Sequence, residues 1–205
     1  MTRVTQAHVD ARTDSIVHAA MKSFVEKGID SATVQDIATE AGLSAGAIYR
    51  YFPGKEQVLR GVLEHFHLET REMFAAARAG AGSPLEALQR AAFLALESHA
   101  SKESCALWME MSLASWRYGL TKERIDCWTD VGDQIEQLVR EAQAENQIDA
   151  ALDAHGVALL FLATVKGMMA LSFELNGSAD IELFKGMMQE MVRRFAPSAA
   201  TATAP

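Results

Sequence analysis

Between Thr33 and Lys55 the chain reads TVQDIATEAGLSAGAIYRYFPGK. Hydroxyls from Thr33, Ser44, Tyr49 and Tyr51 and cations from Arg50 and Lys55 surround a run of small residues, Ala45, Gly46 and Ala47. Two kinds of contact suit this set. Hydroxyl, ammonium and helix N-terminal amide donors bind phosphate oxygens. Small residues let a helix backbone come close to the floor of a DNA major groove. Alanine methyls can touch thymine methyls but cannot hydrogen-bond to base edges. Polar readout therefore falls to the neighbours Ser44, Arg50 and Tyr51, and Arg50 can address guanine bidentately. Tyr49 and Lys55 fit phosphate contacts, and Thr33 can offer its hydroxyl and nearby amides to another phosphate. Each also has a plainer reading: Tyr49 as a core-edge aromatic, Lys55 as a solvated lysine, Thr33 as a helix cap only.

Three helices must hold these residues in place. RTDSIVHAAMKSFVEKG carries Ile16, Ala20 and Phe24 at helical spacing, with Gly28 as its stop and Ile29 as the apolar contact after it. Thr33 opens a second helix, with Asp36 at the third position as an approximate capping box. Ala41-Gly42 closes it, Leu43 turns inward and Ser44 caps a third helix anchored by Ile48 and Phe52. Two helices joined by so short a glycine-containing turn make a helix-turn-helix pattern.

Pro53-Gly54 then breaks the chain, and a long helix is expected over about 55–78. Further helical patterns run over 84–100, 105–118, 121–146, 153–176 and 180–195, with breaks at AGAGSP, SKES, YGLT, NQIDAALD and NGSAD. The tail APSAATATAP is of low complexity. No strand or internal repeat is evident. The fold class is all-α: an N-terminal helix-turn-helix domain over 1–54, a larger helical domain for ligand binding and dimerisation over 55–196, and a disordered tail over 197–205.

The totals agree with this division. The chain has 205 residues, 49% hydrophobic, and a formal net charge of −8. Residues 1–60 hold seven Lys/Arg and seven Asp/Glu; the remainder hold 12 and 20, so the whole excess lies behind the helix-turn-helix. A neutral head on an acidic body can dock on nucleic acid by the head alone, with modest non-specific affinity. Cys105 and Cys127 form neither a disulfide framework nor a metal motif, and read as reduced thiols in a cytoplasmic protein, with a redox pair as the alternative. The polar N-terminus has no apolar segment of the kind a signal peptide needs. VALLFLATVKGMMALSF is interrupted by Lys166 and Gly167 and reads as a buried helix rather than a membrane span.

The string IVHAAMKSFVEKGIDSATVQDIATEAGLSAGAIYRYFPGKEQVL resembles the DNA-binding domain of the TetR family of bacterial transcriptional regulators, over roughly residues 12–62. LWMEMSLASWR is similar, more loosely, to the effector domain of BetI-like members. The resemblance implies a homodimer whose third helices enter successive major grooves of a palindromic double-stranded operator. It also implies C-terminal helices that form a dimer interface and a pocket, in which a small molecule respaces the two heads and releases the DNA. Gln35 lines up with a base-contacting position of the tetracycline repressor. Many members carry a polar residue where Ala45 or Ala47 stands, which leaves room here for shape readout.

In the second half, Phe93, Trp108, Met109, Met111, Trp116, Trp128, Phe161, Met168 and Met169 are the aromatic and methionine side chains suited to an adaptable pocket for a small apolar or amphipathic ligand. Taken singly, each is also explained by core packing. Glu110 is expected to pair with Arg117, seven residues on, or to select a cationic ligand. Val157, Leu160, Phe161, Thr164, Met168 and Leu171 form one apolar stripe, and Leu183, Met187, Met188 and Met191 another. Val157, Leu160, Thr164 and Leu171 from the first, with the second, are the expected dimer interface as a four-helix bundle; burial against the 121–146 helix is the alternative. His65 and His67 diverge on a helix and cannot chelate together, and His99 and His155 read as surface or capping residues. No nucleophile–base pair, metal spacing or phosphate loop occurs, so no enzyme activity, metal or cofactor is expected.

Overall fold

A computed structural model describes residues 6–98, 101–175 and 180–197. In chain order the helices are α1 (Gln6–Lys27), α2 (Val34–Glu40), α3 (Ala45–Ile48), α4 (Lys55–Ala79), α5 (Pro84–Ser98), α6 (Lys102–Arg117), α7 (Thr121–Ala144), α8 (Ala154–Glu174) and α9 (Ile181–Arg194). The described residues contain no strand, so the fold is all-α.

Packing groups the chain into two compact units. The first comprises Met1–Leu68 and Ala106–Arg124; the second comprises Glu69–Cys105 and Ile125–Pro205. The grouping changes inside α4 rather than at residue 54 or at AGAGSP. In the first unit α1 buries Ile16, Val17, Ala20 and Phe24 against Ile37 and Ala38 of α2, Ile48 of α3, Val58, Leu59 and Val62 of α4, and Leu107, Met111 and Ala114 of α6. Full burial of an aliphatic or aromatic side chain of this size stabilises by about 1.5–3 kcal/mol, so this cluster is what holds so short a helix as α3 in place. The second unit closes around Leu88, Ala91 and Leu96 of α5, Val131, Ile135 and Leu138 of α7, Val157, Phe161 and Met168 of α8, and Met188 and Val192 of α9.

Local chemistry explains the boundaries. Gly28 ends α1 with φ +77°, a left-handed conformation that costs glycine little, and Ile29 behind it is buried. At Thr33 the side chain caps the Asp36 amide while the Asp36 carboxylate accepts from the Thr33 amide, a complete capping box. Gly42, at φ +65°, ends α2, and the Leu43 amide reaches back to the Ala38 carbonyl at 2.8 Å in a Schellman turn. Ser44 then caps α3 through the Ala47 amide. Regular α3 stops at Ile48, but the bonds Tyr49 N–H to Ala45 O (3.0 Å) and Phe52 N–H to Ile48 O (2.9 Å) carry the turn on to Phe52.

Several expected ends move. The break at SKES is shorter than expected: Ser101 lies outside the helices, and its hydroxyl accepts the Ser104 amide at 3.0 Å, so that α6 starts at Lys102, not Cys105. Asp153 and Asp180 are N-caps and not helical residues. NGSAD lies largely outside the described residues, as do His99 and most of the tail. The α8 helix is long and apolar enough to cross a membrane by those criteria alone, yet Val157, Ala158, Phe161 and Met168 on it belong to the core of the second unit.

The expected dimer stripes split. Val157 and Met188 are core residues of the second unit, not interface residues, because helical spacing turns them inward with Phe161 and Val192. Leu160, Leu171, Leu183 and Met187 are exposed, Thr164 and Met191 half-buried. Leu159 and Leu175, which lie outside both stripes, are exposed as well.

Candidate nucleic-acid interface

The candidate contact residues sit on α2, α3 and the turn to α4, all in the first unit. Thr33, Gln35, Ser44, Gly46, Tyr49 and Arg50 are exposed; Ala45, Ala47, Tyr51 and Lys55 are half-buried. Around Gly46 there is open space: an added Cβ would meet only the Ser44 Oγ, at 3.9 Å. A partner's backbone or base edge therefore has room against the start of α3. Tyr49 is 53% exposed, more than a core-edge aromatic would be, whereas Tyr51 packs against the first unit's core. Phe52 is buried, anchoring the end of the turn.

Three of these residues also have internal duties. The Thr33 hydroxyl donates to Asp36 Oδ2 at 2.7 Å and the Thr33 amide to the same oxygen at 2.9 Å. The Ser44 hydroxyl accepts the Ala47 amide at 3.2 Å. Lys55 Nζ donates to the Asp30 carbonyl at 2.8 Å and lies 5.8 Å from the Tyr118 ring centre. Burial, with Arg117 nearby adding to it, pushes the Lys55 ammonium below its ordinary pKa. Gln35 commits only its backbone carbonyl, to the Thr39 hydroxyl at 2.9 Å.

The acids near this surface are neutralised. Asp36 and Glu40 are the carboxylates of α2, and each meets a lysine of α1: Lys27 to Asp36 and Lys22 to Glu40, both at 2.7 Å. The Lys27 ammonium, and then the Thr33 hydroxyl and amide, hold the Asp36 carboxyl well below the usual carboxylate range. Exposed pairs of this kind add little stability. Their effect is on the field, since an unpaired carboxylate on α2 would repel a phosphate backbone.

The expected ligand residues do not come together within one unit. Trp108, Met109, Glu110, Met111 and Trp116 belong to the first unit; Phe93, Trp128, Phe161, Met168 and Met169 belong to the second. Met111 is a core residue of the first unit and Trp116 is 75% exposed. The Glu110–Arg117 pair is not formed. Seven residues span two helical turns, about 10 Å of rise, and each side chain has a nearer partner: Glu110 Oε2 accepts the Ile29 amide at 2.8 Å, and Arg117 pairs with Asp30. Glu110 thus has a protein partner within the first unit. In the second unit, Phe161 and Met168 are core, Met169 is buried, and Phe93 and Trp128 pack on the core. Lys166 Nζ stands 3.0 Å over the Trp128 ring. His155 is exposed and meets Glu136 at 2.9 Å. Cys105 and Cys127 are not joined in a disulfide, and burial pushes the Cys105 thiol up. Among the described residues, no group of three or more His, Cys, Asp or Glu is placed to hold a metal ion.

Comparison with known proteins points one way. The profile of bacterial regulatory proteins of the tetR family matches residues 16–62, from the first buried residue of α1 to the first turns of α4. The chain is similar to the HTH-type transcriptional regulator SrpR of Pseudomonas putida, 29% identical over 82% of this chain and 78% of that one. It is similar to the uncharacterized HTH-type transcriptional regulator YuxN of Bacillus subtilis, 28% identical over 69% of this chain but only 45% of that protein's length. The solved structure of SmeT, described as the repressor of the Stenotrophomonas maltophilia multidrug efflux pump SmeDEF, superposes with a TM-score of 0.71 at 24% identity, covering 88% of this chain and 87% of SmeT. Residues 16–62 thus match the tetR family of bacterial regulatory proteins, and the chain as a whole shares its fold with SmeT.

Proposed function

We propose that the chain acts in the cytoplasm as a homodimeric repressor, released from a palindromic operator by a small apolar or amphipathic effector. The observation that carries this reading is the exposed start of α3. Ser44 and Gly46 stand open there, flanked by exposed Gln35, Tyr49 and Arg50, on a helix anchored from below by Ile48 and Phe52. In this reading Gln35, Ser44, Arg50 and Tyr51 read bases, Ala45 and Ala47 meet thymine methyls, and Tyr49, Lys55 and the amides after Thr33 hold phosphates. The division of labour is a DNA-binding head over 1–54 and a sensing and dimerising body over 55–196.

Support for the dimer comes from α8 and α9. Leu159, Leu160, Leu171, Leu175, Leu183 and Met187 are each between 47% and 58% exposed, more apolar surface than a lone subunit usually leaves in water. A two-fold axis would cover it with a second copy. Support for an effector comes from the aromatic and methionine content of the second unit. An effector need supply only about 1–3 kcal/mol of coupling to change operator affinity usefully.

The test is an unbiased one. Sheared DNA of the host is incubated with the purified chain, bound fragments are sequenced, and the recovered site is tested by gel shift across a salt series. A repressor of this design enriches a site with inverted half-sites and weakens with salt. Recovery of random fragments only would overturn the reading.

A further inference from the structure

The turn between α1 and α2 is held from α6. Glu110 Oε2 accepts the Ile29 amide at 2.8 Å, and a Cβ placed on Gly28 would stand 3.5 Å from Glu110 Oε1. The carboxylate therefore lies directly over the turn. Two helical turns further along, Arg117 pairs with Asp30, and the Tyr118 hydroxyl donates to Asp30 Oδ1 at 3.4 Å. Lys55, the first residue of α4, donates to the Asp30 carbonyl at 2.8 Å. All of these groups lie in the first unit. Leu107, Met111 and Ala114 fix α6 in the same core as Ile29.

The course of this turn decides where Thr33 starts α2, and α2 packs on both α1 and α3. The Ile29 side chain is only 1% exposed, so its amide sits at the edge of an apolar core. A donor left unsatisfied there is costly, and a carboxylate acceptor gives it a strong, charge-assisted bond. Asp30 is one residue further on and is held by three separate groups. A turn fixed at two adjacent residues has little freedom to tilt.

We propose that Glu110 is a positioning residue for DNA binding: its carboxylate fixes the α1–α2 turn, and with it the placement of α2 and α3, without touching DNA. This rests on the DNA-binding reading above and adds to it that the α6 segment 106–124 is part of the head's own architecture. Because Ile29 asks only for an acceptor oxygen, glutamine at position 110 keeps the function and alanine loses it.

The experiment uses the full chain and, as probe, a duplex selected by the wild-type protein from a random-sequence pool. Glu110→Ala and Glu110→Gln are compared with wild type for duplex affinity across a salt series and for amide hydrogen exchange over residues 28–32. Glu110→Ala is expected to bind about tenfold more weakly with an unchanged salt slope, since no phosphate contact is removed. Its Ile29 amide exchanges about tenfold faster, while α7 amides keep their protection. Glu110→Gln stays within about threefold of wild type in both readouts. Should Glu110→Ala fail to fold, Glu110→Asp, shorter by one methylene, carries the same expectations. Wild-type affinity in the alanine variant, or a glutamine variant as weak as alanine, overturns the proposal. Unchanged Ile29 exchange overturns it independently of DNA. A wild-type chain that selects no duplex at all instead defeats the DNA-binding reading on which it rests.

Discussion

Gln35 and Arg50 are exposed long side chains beside an open helix start, and such side chains can address a base edge bidentately. Gln35→Ala or Arg50→Ala should flatten discrimination at one or two base pairs, by about 1–3 kcal/mol for each good base contact removed. Competition with single-base variants of the selected site measures this. Tyr49 carries a different expectation. Removing its hydroxyl in Tyr49→Phe should weaken binding to every sequence alike, and a loss confined to one base pair would reassign it to base readout. Asp36 ties the cap of α2 to pH. Its folded-state pKa is depressed from an ordinary 3.8, so its contribution is complete above that value and disappears as pH falls through the lower folded value. The excess in Tm of wild type over Asp36→Asn should accordingly be constant from neutral pH down to about 4 and shrink below it. An excess that grows on acidification would reverse the assignment.

Helices this short are held by their ends and by a few buried side chains, not by propensity. Ser44→Ala removes the α3 cap and should cost about 1 kcal/mol of stability, and Ile48→Ala, which empties a fully buried site, about 2–5 kcal/mol. Urea denaturation monitored by circular dichroism separates the two. Much at this scale was legible in the sequence. Thr33 with Asp36, Gly42 with Leu43, and Ser44 are local signals, and local signals survive folding because their partners are a few residues away. SKES marked the break but not its end, because Ser, Lys and Glu serve helix starts as readily as breaks, and the bond from the Ser104 amide to the Ser101 hydroxyl sets the start of α6 at Lys102. Glu110 was beyond reach for the opposite reason. Its partner Ile29 lies 81 positions away, and no periodicity in one chain announces a contact of that separation. The α8 and α9 stripes were half legible: apolar spacing identified both helices, but not that Val157 and Met188 turn inward while Leu160 and Leu183 do not.

At the scale of the molecule, the proposed dimer joins two neutral heads so that affinity comes from both acting together. Joining two weak sites through one dimer raises apparent affinity by about 10²–10⁴ without any new contact. The double variant Leu160→Glu/Leu183→Glu places like charges on the exposed apolar residues of α8 and α9. Sedimentation should then report a single subunit, and binding to the selected duplex should fall about 100-fold or more, while each subunit keeps its helical content. A variant that remains a dimer would move the interface elsewhere. The most direct test of the central claim is the sequence of DNA fragments captured from the host by the purified wild-type chain. The account predicts one enriched class of sites built from two inverted half-sites, their centres separated by about one helical turn or a multiple of it. Captured DNA with no shared sequence, or a shared sequence without inverted symmetry, would contradict it.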